Sequence, residues 1–246
     1  IWDPRGDAGL RRAIGELPPA PAALGGPPVP EGEIPVLALG ALLLARELAE
    51  GVLSEAAPAA GPRGLNAQRL ARHLWEVETD LHYVTARPDP RLQQMLAREA
   101  GAILEIYRSH PRAARPAFSP ERKALFEDAE ARAAALDAAA EARSRAGEVV
   151  PADDWGSFPT RLRLCKALGR PDEYFVYYGY GSLFAPPSIA AIDETMLATA
   201  AGVVPRREHD HRNASMALSL TRTTLARLLL RVARILTAGA PDLADE

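Results

Sequence analysis

The stretch LNAQRLARHLWEVETDLHYVTA, residues 65–86, decides the fold class of this chain. Its larger apolar residues recur at spacings of four and three, at Leu70, Leu74, Val77, Leu81 and Val84. This spacing lines one face of an α-helix, whereas a strand would need an apolar side chain at every second position. Pro88 stops the pattern, because proline cannot donate the backbone hydrogen bond that a continuing helix requires. We therefore predict a long helix that packs this stripe into a core.

The same kind of pattern recurs outward from this stretch. Proline next to a capping or acidic residue favours a helix start, and such pairs stand at Asp89-Pro90, Ser119-Pro120 and Pro171-Asp172. Helices are predicted over residues 35–57, 66–87, 90–110, 120–145, 159–168, 173–180, 188–201 and 213–238. The fold class is therefore all-α, a helical bundle of about seven helices with a Pro/Gly-rich N-terminal arm.

The domain organisation follows from where these patterns occur along the chain. Residues 1–33 are rich in proline and glycine and predict an arm or linker, a loosely packed tail with one short helix near residues 9–16. Residues 34–240 are predicted to form a single helical domain. Within it, the Ala-rich helix over residues 120–146 could lie on the surface, protrude, or form a long hairpin with the preceding helix. Residues 202–211 are expected to be a charged loop, because the Val203-Val204 pair is too short for a strand.

Composition limits the classes of function. The chain has 246 residues, of which 48% are hydrophobic, and a formal net charge of −3, which gives no electrostatic reason to expect nucleic acid or an anionic membrane as a partner. Cys165 is the only cysteine, so no disulfide can form within the chain and a reducing compartment is expected. The apolar run over residues 34–45 is shorter than the roughly 20 residues that span a bilayer. We predict a soluble, cytoplasmic protein without membrane contact. No phosphate-loop or dinucleotide glycine motif is present in the sequence, and no cofactor is predicted.

Arg72 and Glu76 form the first candidate constellation. They are four residues apart, and therefore neighbours on a helix, roughly opposite the apolar stripe. In one interpretation they form a solvated surface ion pair, worth about 0.5 kcal/mol or less. In the other, the helix is buried on both faces, and the pair positions a polar ligand or fixes helix register.

The segment EYFVYYGYGS, residues 173–182, holds four of the six tyrosines. The tyrosines can form an aromatic wall of the core, or line a pocket with hydroxyls that point at a ligand. The second alternative gives a set of candidate residues for binding a small polar ligand: Arg72, Glu76, Tyr83, Tyr177, Tyr178 and Ser182.

These same residues carry a resemblance to a known family. The sequence RHLWE at residues 72–76, the continuation through Tyr83 to Pro88-Asp89-Pro90, and the tyrosine-rich stretch ending at Ser182 resemble the bacterial family catalogued as domain of unknown function 5677. The likeness covers about residues 65–201. The chain departs from the family pattern in lacking a histidine shortly after the serine. The resemblance implies an all-helical fold and no particular reaction.

Three further hypotheses come from other segments. His209 and His211 form a His-x-His pair that could bind a metal if His73, Asp80 or His82 supplied further ligands. The spacing from Arg206 to His211 is similar to the Arg-x4-His of helical ribonucleases of the HEPN class, so that a ribonuclease-like toxin or a metal-assisted hydrolase is an alternative function. The Ala-rich helix over residues 120–145 could instead mediate a homodimer and make the protein a helical scaffold.

Overall fold

The fold is built from helices and one short hairpin. The computed structural model describes residues 4–15, 32–57, 63–110, 117–146, 159–179, 196–200, 202–205 and 210–237. Its long helices are α1 Pro4–Gly15, α2 Glu33–Ala56, α3 Gly64–Ala86, α4 Pro88–Ser109, α5 Pro120–Arg145, α6 Arg161–Ala167 and α8 His211–Thr237. Between the last two, α7 starts as an α-helix at Pro171–Glu173 and continues as a π-helix over Tyr174–Gly179. The predicted all-α class is confirmed.

The described residues divide into two compact units. One holds the residues up to Tyr83 and those from Arg161 onward, and the other holds the residues from Val84 to Thr160. The prediction of a single helical domain over residues 34–240 stays a prediction beside this division. Within the described ranges, no helix is both long and apolar enough to cross a bilayer.

The core of the first unit lies between α2, α3 and α8. α2 contributes alanines that are fully buried, among them Ala38, Ala45 and Ala49, and its backbone can therefore approach α8 closely. The stripe of α8 that faces this core is buried as its spacing predicts, at Leu218, Thr221, Leu225, Leu228, Val232 and Ile235. Burial of such side chains contributes about 1.5–3 kcal/mol each, which makes this contact the main source of stability for the unit.

The N-terminal segment corrects one expectation. α1 is longer than the short helix predicted near residues 9–16, and it is not part of a loosely packed tail. Its apolar residues Leu10 and Ile14 are 2% and 4% exposed and belong to the same core cluster as α2 and α8. The four-residue spacing places both on one face, so a short amphipathic helix could dock despite its Pro/Gly-rich surroundings.

The second unit contains α4 and α5, which pack against each other. Tyr107 near the end of α4 lies 4.6 Å from Phe126 in α5, between ring centroids, and Phe118 lies 5.6 Å from Phe126. Ser119 caps α5 as predicted, since its Oγ accepts a hydrogen bond from the backbone N–H of Arg122 at 3.3 Å. The predicted start of α4 at Asp89-Pro90 is wrong by two residues, because Pro88 already occupies the first helical position.

A β-hairpin replaces part of the predicted helix and loop before α8. β1 Met196–Thr199 pairs antiparallel with β2 Gly202–Pro205. The helix predicted over residues 188–201 is therefore wrong at 196–199, and the charged loop predicted over residues 202–211 is wrong at 202–205; residues 188–195 and 206–209 lie outside the described residues. Gly202 has a φ of +122°, a conformation that favours glycine. Each strand has only four residues, so neither leaves a period-two signal that could be recognised.

Candidate functional site

Helix α3 is covered on two faces. Leu74 and Leu81 lie in the main core of the first unit. On another face Trp75 is 0% exposed and clusters with Cys165 of α6 and Tyr177 of α7. The face that core packing did not explain is therefore occupied by the segment that contains α6 and α7.

Arg72 and Glu76 lie at the edge of this second contact. Arg72 Nε donates a hydrogen bond to Glu76 Oε1 at 3.0 Å, and the two side chains are 22% and 17% exposed. The guanidinium carbon of Arg72 lies 4.1 Å from the ring centroid of Tyr178, in cation–π geometry. Within the described residues, the terminal nitrogens of Arg72 have no hydrogen-bond partner. The pair is half-buried, and an aromatic ring covers the guanidinium. The terminal N–H groups of Arg72 have no acceptor among the described residues.

The π-helix of α7 sorts the tyrosines onto two sides. Pro171 starts the helix two residues after Gly169, whose φ of +67° follows the end of α6. The wider π-helical turn stacks Tyr178 on Tyr174, with centroids 5.1 Å apart and an angle of 18° between the rings. It directs Tyr177 the other way, onto Trp75, with centroids 5.0 Å apart and an angle of 11°. π-Helical turns of this kind are frequent at functional sites.

The sequence left two alternatives for the tyrosines, a wall of the core or the lining of a pocket, and the tyrosines do not all share one environment. Tyr177 is 6% exposed, and its hydroxyl shares a hydrogen bond of 3.1 Å with Thr224 Oγ1 of α8, so it belongs to the core wall. Burial raises the pKa of the Tyr177 hydroxyl, which keeps it neutral. Tyr83 is also buried, at 2% exposure. Ser182 lies outside the described residues. Of the six candidate residues, the structure brings Arg72, Glu76 and Tyr178 into one open cluster.

A buried ion-pair network adjoins this cluster, and it was not predicted. Glu78 of α3 is 0% exposed and is held by Arg170 through two parallel hydrogen bonds of 3.1 and 2.8 Å. Arg170 also donates to Glu173 Oε2 at 2.5 Å. Glu173 in turn accepts from Trp75 Nε1 at 3.0 Å and from Arg227 of α8 at 2.6 Å. One carboxylate, Glu173, therefore links three elements of the first unit.

The charges in this network stabilise one another. Burial alone would lower the pKa of Arg170, but its hydrogen bonds to Glu173 and Glu78 outweigh that effect and raise the pKa. Burial would raise the pKa of Glu173, yet the hydrogen bonds from Arg170 and Trp75 lower it. Both groups are therefore ionised at neutral pH. A buried pair of this kind is tolerated only when its hydrogen-bonding groups are satisfied.

Two residues that could have served a metal are engaged in this network or beside it. Burial, followed by the nearby charges of Arg231 and Arg170, lowers the pKa of His82 to about 3, so this imidazole is neutral and Nδ1 can accept from Arg170 at 3.2 Å. The 3.9 Å approach of His82 to Glu78 is accordingly not an ion pair. Asp80 is paired with Arg161 of α6 through both carboxylate oxygens.

The metal hypothesis gains no support from these positions. No group of three or more histidine, cysteine, aspartate or glutamate side chains is placed to hold a metal ion in the part of the chain that the structure describes. His211 is the exposed first residue of α8, and His209 and Arg206 lie outside the described residues. The metal, ribonuclease and homodimer hypotheses therefore stay predictions.

One signal in the sequence could have indicated the network. Helix α3 carries three carboxylates in five residues, Glu76, Glu78 and Asp80. At about 100° per residue Glu76 and Asp80 share one face, whereas Glu78 lies about 160° away from them, so a helix with a broad apolar stripe cannot expose all three. At least one carboxylate had to be buried, and a buried carboxylate needs a cationic partner.

Comparison with known protein families, with curated proteins and with solved structures finds no match to this chain. The resemblance of residues 65–201 to domain of unknown function 5677 therefore stays a prediction, and the geometry alone supports the functional argument below.

Proposed function

We propose that the first unit binds a small polar molecule at the cluster of Arg72, Glu76 and Tyr178. The observation that carries this proposal is the half-buried guanidinium of Arg72, which rests on Tyr178 and has no hydrogen-bond partner at its terminal nitrogens within the described residues. Arginine forks of this kind bind carboxylate or phosphate with two parallel hydrogen bonds.

The neighbouring groups define the chemistry of the ligand. Glu76 uses one lone pair of Oε1 for Arg72, and its Oε2 lies 3.3 Å from His73 Nδ1, so the carboxylate keeps capacity to accept a further hydrogen bond. The stacked rings of Tyr174 and Tyr178 offer an apolar surface beside the two charges. A ligand that fits presents an oxyanion to Arg72 and an N–H or O–H donor to Glu76, as amino acids and hydroxy acids do.

Rigidity supports binding over a purely structural role. The stacked ring of Tyr178 and the ion pair with Glu76 hold Arg72 before any ligand arrives, which reduces the entropy lost on binding. An ion pair on the surface that no neighbouring ring supports contributes little free energy, because holding two long side chains in one geometry costs entropy. Arg46 and Glu50 of α2 form a more exposed pair, 2.9 Å apart and 32% and 52% exposed.

The test is a thermal-unfolding screen of the protein against the common amino acids and the corresponding hydroxy acids, followed by calorimetry on any compound that raises Tm. Arg72→Gln should weaken binding by about ten-fold or more, because an oxyanion would lose its charged partner. Tyr178→Leu should weaken it less, and Arg46→Gln, the matched control, should not change it. A panel without any stabilising compound, or equal affinities for Arg72→Gln and the wild type, would refute the proposal.

A further inference from the structure

Arg231 of α8 stands apart from the other arginines of the first unit. Its side chain is half-buried, and its Nε is buried without a hydrogen-bond partner. Within the described residues its guanidinium makes no hydrogen bond and no ion pair. A cation removed from water without a partner is costly, so its position requires an explanation.

The carboxylates of the adjoining buried network are already in use. Glu78 acts on Arg231 electrostatically, but both of its oxygens are bound by Arg170. Glu173 is bound by Arg170, Trp75 and Arg227. The carboxylate that acts on Arg231 therefore has no oxygen left for a bidentate contact with it.

Among the described residues of this network, positive charges outnumber negative ones. Two carboxylates, Glu78 and Glu173, oppose three guanidiniums, those of Arg170, Arg227 and Arg231. His82 adds no charge at neutral pH, since burial lowers its pKa to about 3.

Arg170 shares with Arg231 a buried Nε that lacks a hydrogen-bond partner in the described part of the chain. Its terminal nitrogens are occupied. The cluster thus combines an excess positive charge with unused N–H donors on two arginines. An oxyanion supplies what is missing, because it carries negative charge and several acceptor lone pairs.

We infer that Arg231, with Arg170 beside it, forms a binding site for a small oxyanion, a phosphate or carboxylate group. This site is separate from the cluster around Arg72, because it is built from other residues: Arg231 of α8, and Arg170, which precedes α7. It does not depend on the proposed function: Arg72→Gln should leave it intact.

The experiment compares thermal unfolding of the wild type, Arg231→Met and Arg222→Met in inorganic phosphate, in acetate and in chloride at equal ionic strength. Arg222 is the matched control, since it is exposed on the same helix. Phosphate or acetate should raise the Tm of the wild type and of Arg222→Met by roughly 2–4 °C over chloride, as expected for a ligand that binds the folded state. Arg231→Met should show no rise. The more effective of the two anions identifies the class of ligand.

The stability of Arg231→Met in chloride is a second readout, and here the variant is not expected to be the weaker protein. In chloride alone, Arg231→Met should be as stable as the wild type or more stable, because methionine keeps the apolar stem and removes an unpaired charge. A lower Tm of this variant in chloride would mean that Arg231 is a structural residue and would overturn the inference. Equal anion effects in all three proteins would overturn it as well.

Arg231→Lys keeps the charge without the planar fork and gives an independent test of the same site. It should bind phosphate or acetate about ten-fold more weakly than the wild type by calorimetry, because a lysine cannot make the bidentate contact. Undiminished affinity in this variant would also contradict the site.

Discussion

Two glutamates of α3, Glu76 and Glu78, pair with arginines, and the two pairs differ in how completely their hydrogen-bonding groups are used. Glu78 is 0% exposed, and Arg170 holds it with two hydrogen bonds. Glu76 is 17% exposed and shares only the Nε of Arg72, which leaves the terminal nitrogens of that arginine open within the described residues. An arginine–glutamate pair can therefore stabilise the fold when the terminal N–H groups of the arginine are bonded. It can bind a ligand when those terminal N–H groups have no acceptor.

The position of each pair relative to α7 explains this difference. Glu78 faces the start of α7, where Arg170, Glu173 and the indole of Trp75 converge. Arg72 meets the π-helical part, where Tyr178 covers one side of the guanidinium and leaves its edge accessible. We therefore expect the closed pair to govern stability and the open pair to govern binding.

The largest effect should come from breaking the closed pair. Glu78→Gln removes the buried negative charge and leaves Arg170 partly uncompensated, which should lower the free energy of unfolding by about 3–5 kcal/mol. Urea-induced unfolding followed by circular dichroism measures this change. A loss below about 1 kcal/mol would show that the network is dispensable and would remove the contrast between the two pairs.

The next effect is a dependence on pH from His82, which touches only the closed pair. Its pKa of about 3 in the folded state lies below the usual histidine pKa of 6.5. The unfolded chain therefore binds a proton as the pH falls through 6.5 while the folded protein does not. Stability from this residue is present above pH 6.5 and declines below it, by about 2 kcal/mol between pH 7 and pH 5.

His82→Gln is the variant that isolates this contribution. It should lose about 2 kcal/mol less than the wild type over the same pH interval, because glutamine does not titrate. His73→Gln is the control, since that histidine is exposed and lies beside the open pair. Parallel pH profiles for wild type and His82→Gln would mean that His82 titrates normally and is not held neutral by the network.

A smaller effect should follow from removing one hydrogen bond to the network. Trp75→Phe keeps an aromatic ring against Tyr177 and deletes the N–H that binds Glu173 at 3.0 Å. We expect a loss of about 1–3 kcal/mol in the free energy of unfolding, the range for hydrogen bonds to charged groups. In the double variant with Glu173→Ala, the two losses should not add, because both changes remove the same contact. Strict additivity would contradict this coupling.

The smallest effect on stability should come from the open pair. Glu76→Gln should change the free energy of unfolding by about 1 kcal/mol or less, the value typical of accessible ion pairs. The same variant should weaken binding of any ligand found for Arg72. A loss as large as that of Glu78→Gln would make both pairs structural and would weaken the case for a binding site at Arg72.

Local sequence patterns predicted most of the helical plan because a helix depends on neighbours within four residues. The stripe of α8 is buried at every position that its spacing indicates, and Ser119 caps α5 as expected. The same argument fails for the hairpin at Met196–Thr199 and Gly202–Pro205, since each strand is stable only through its partner. It also understated α1, whose docking depends on the core that α2 and α8 provide.

The candidate site shows the same division. The i to i+4 spacing was sufficient to predict that Arg72 and Glu76 are neighbours, and the structure has them 3.0 Å apart. It could not predict that Tyr178 would cover Arg72 while Tyr177 turned into the core, because the π-helical turn rotates the two rings onto different sides. Nor could it find Arg170 as the partner of Glu78, since 92 residues separate them along the chain.

The sequence by itself thus determined the all-α class, the start of α5, and the pairs of side chains that face each other on one helix. These features follow from backbone hydrogen bonds and side-chain spacing over a few residues. Only the tertiary structure decided which charges are buried, which guanidiniums are satisfied and which remain open. Those properties depend on contacts between distant segments, and the cost of burying a charge is set by all the groups that surround it.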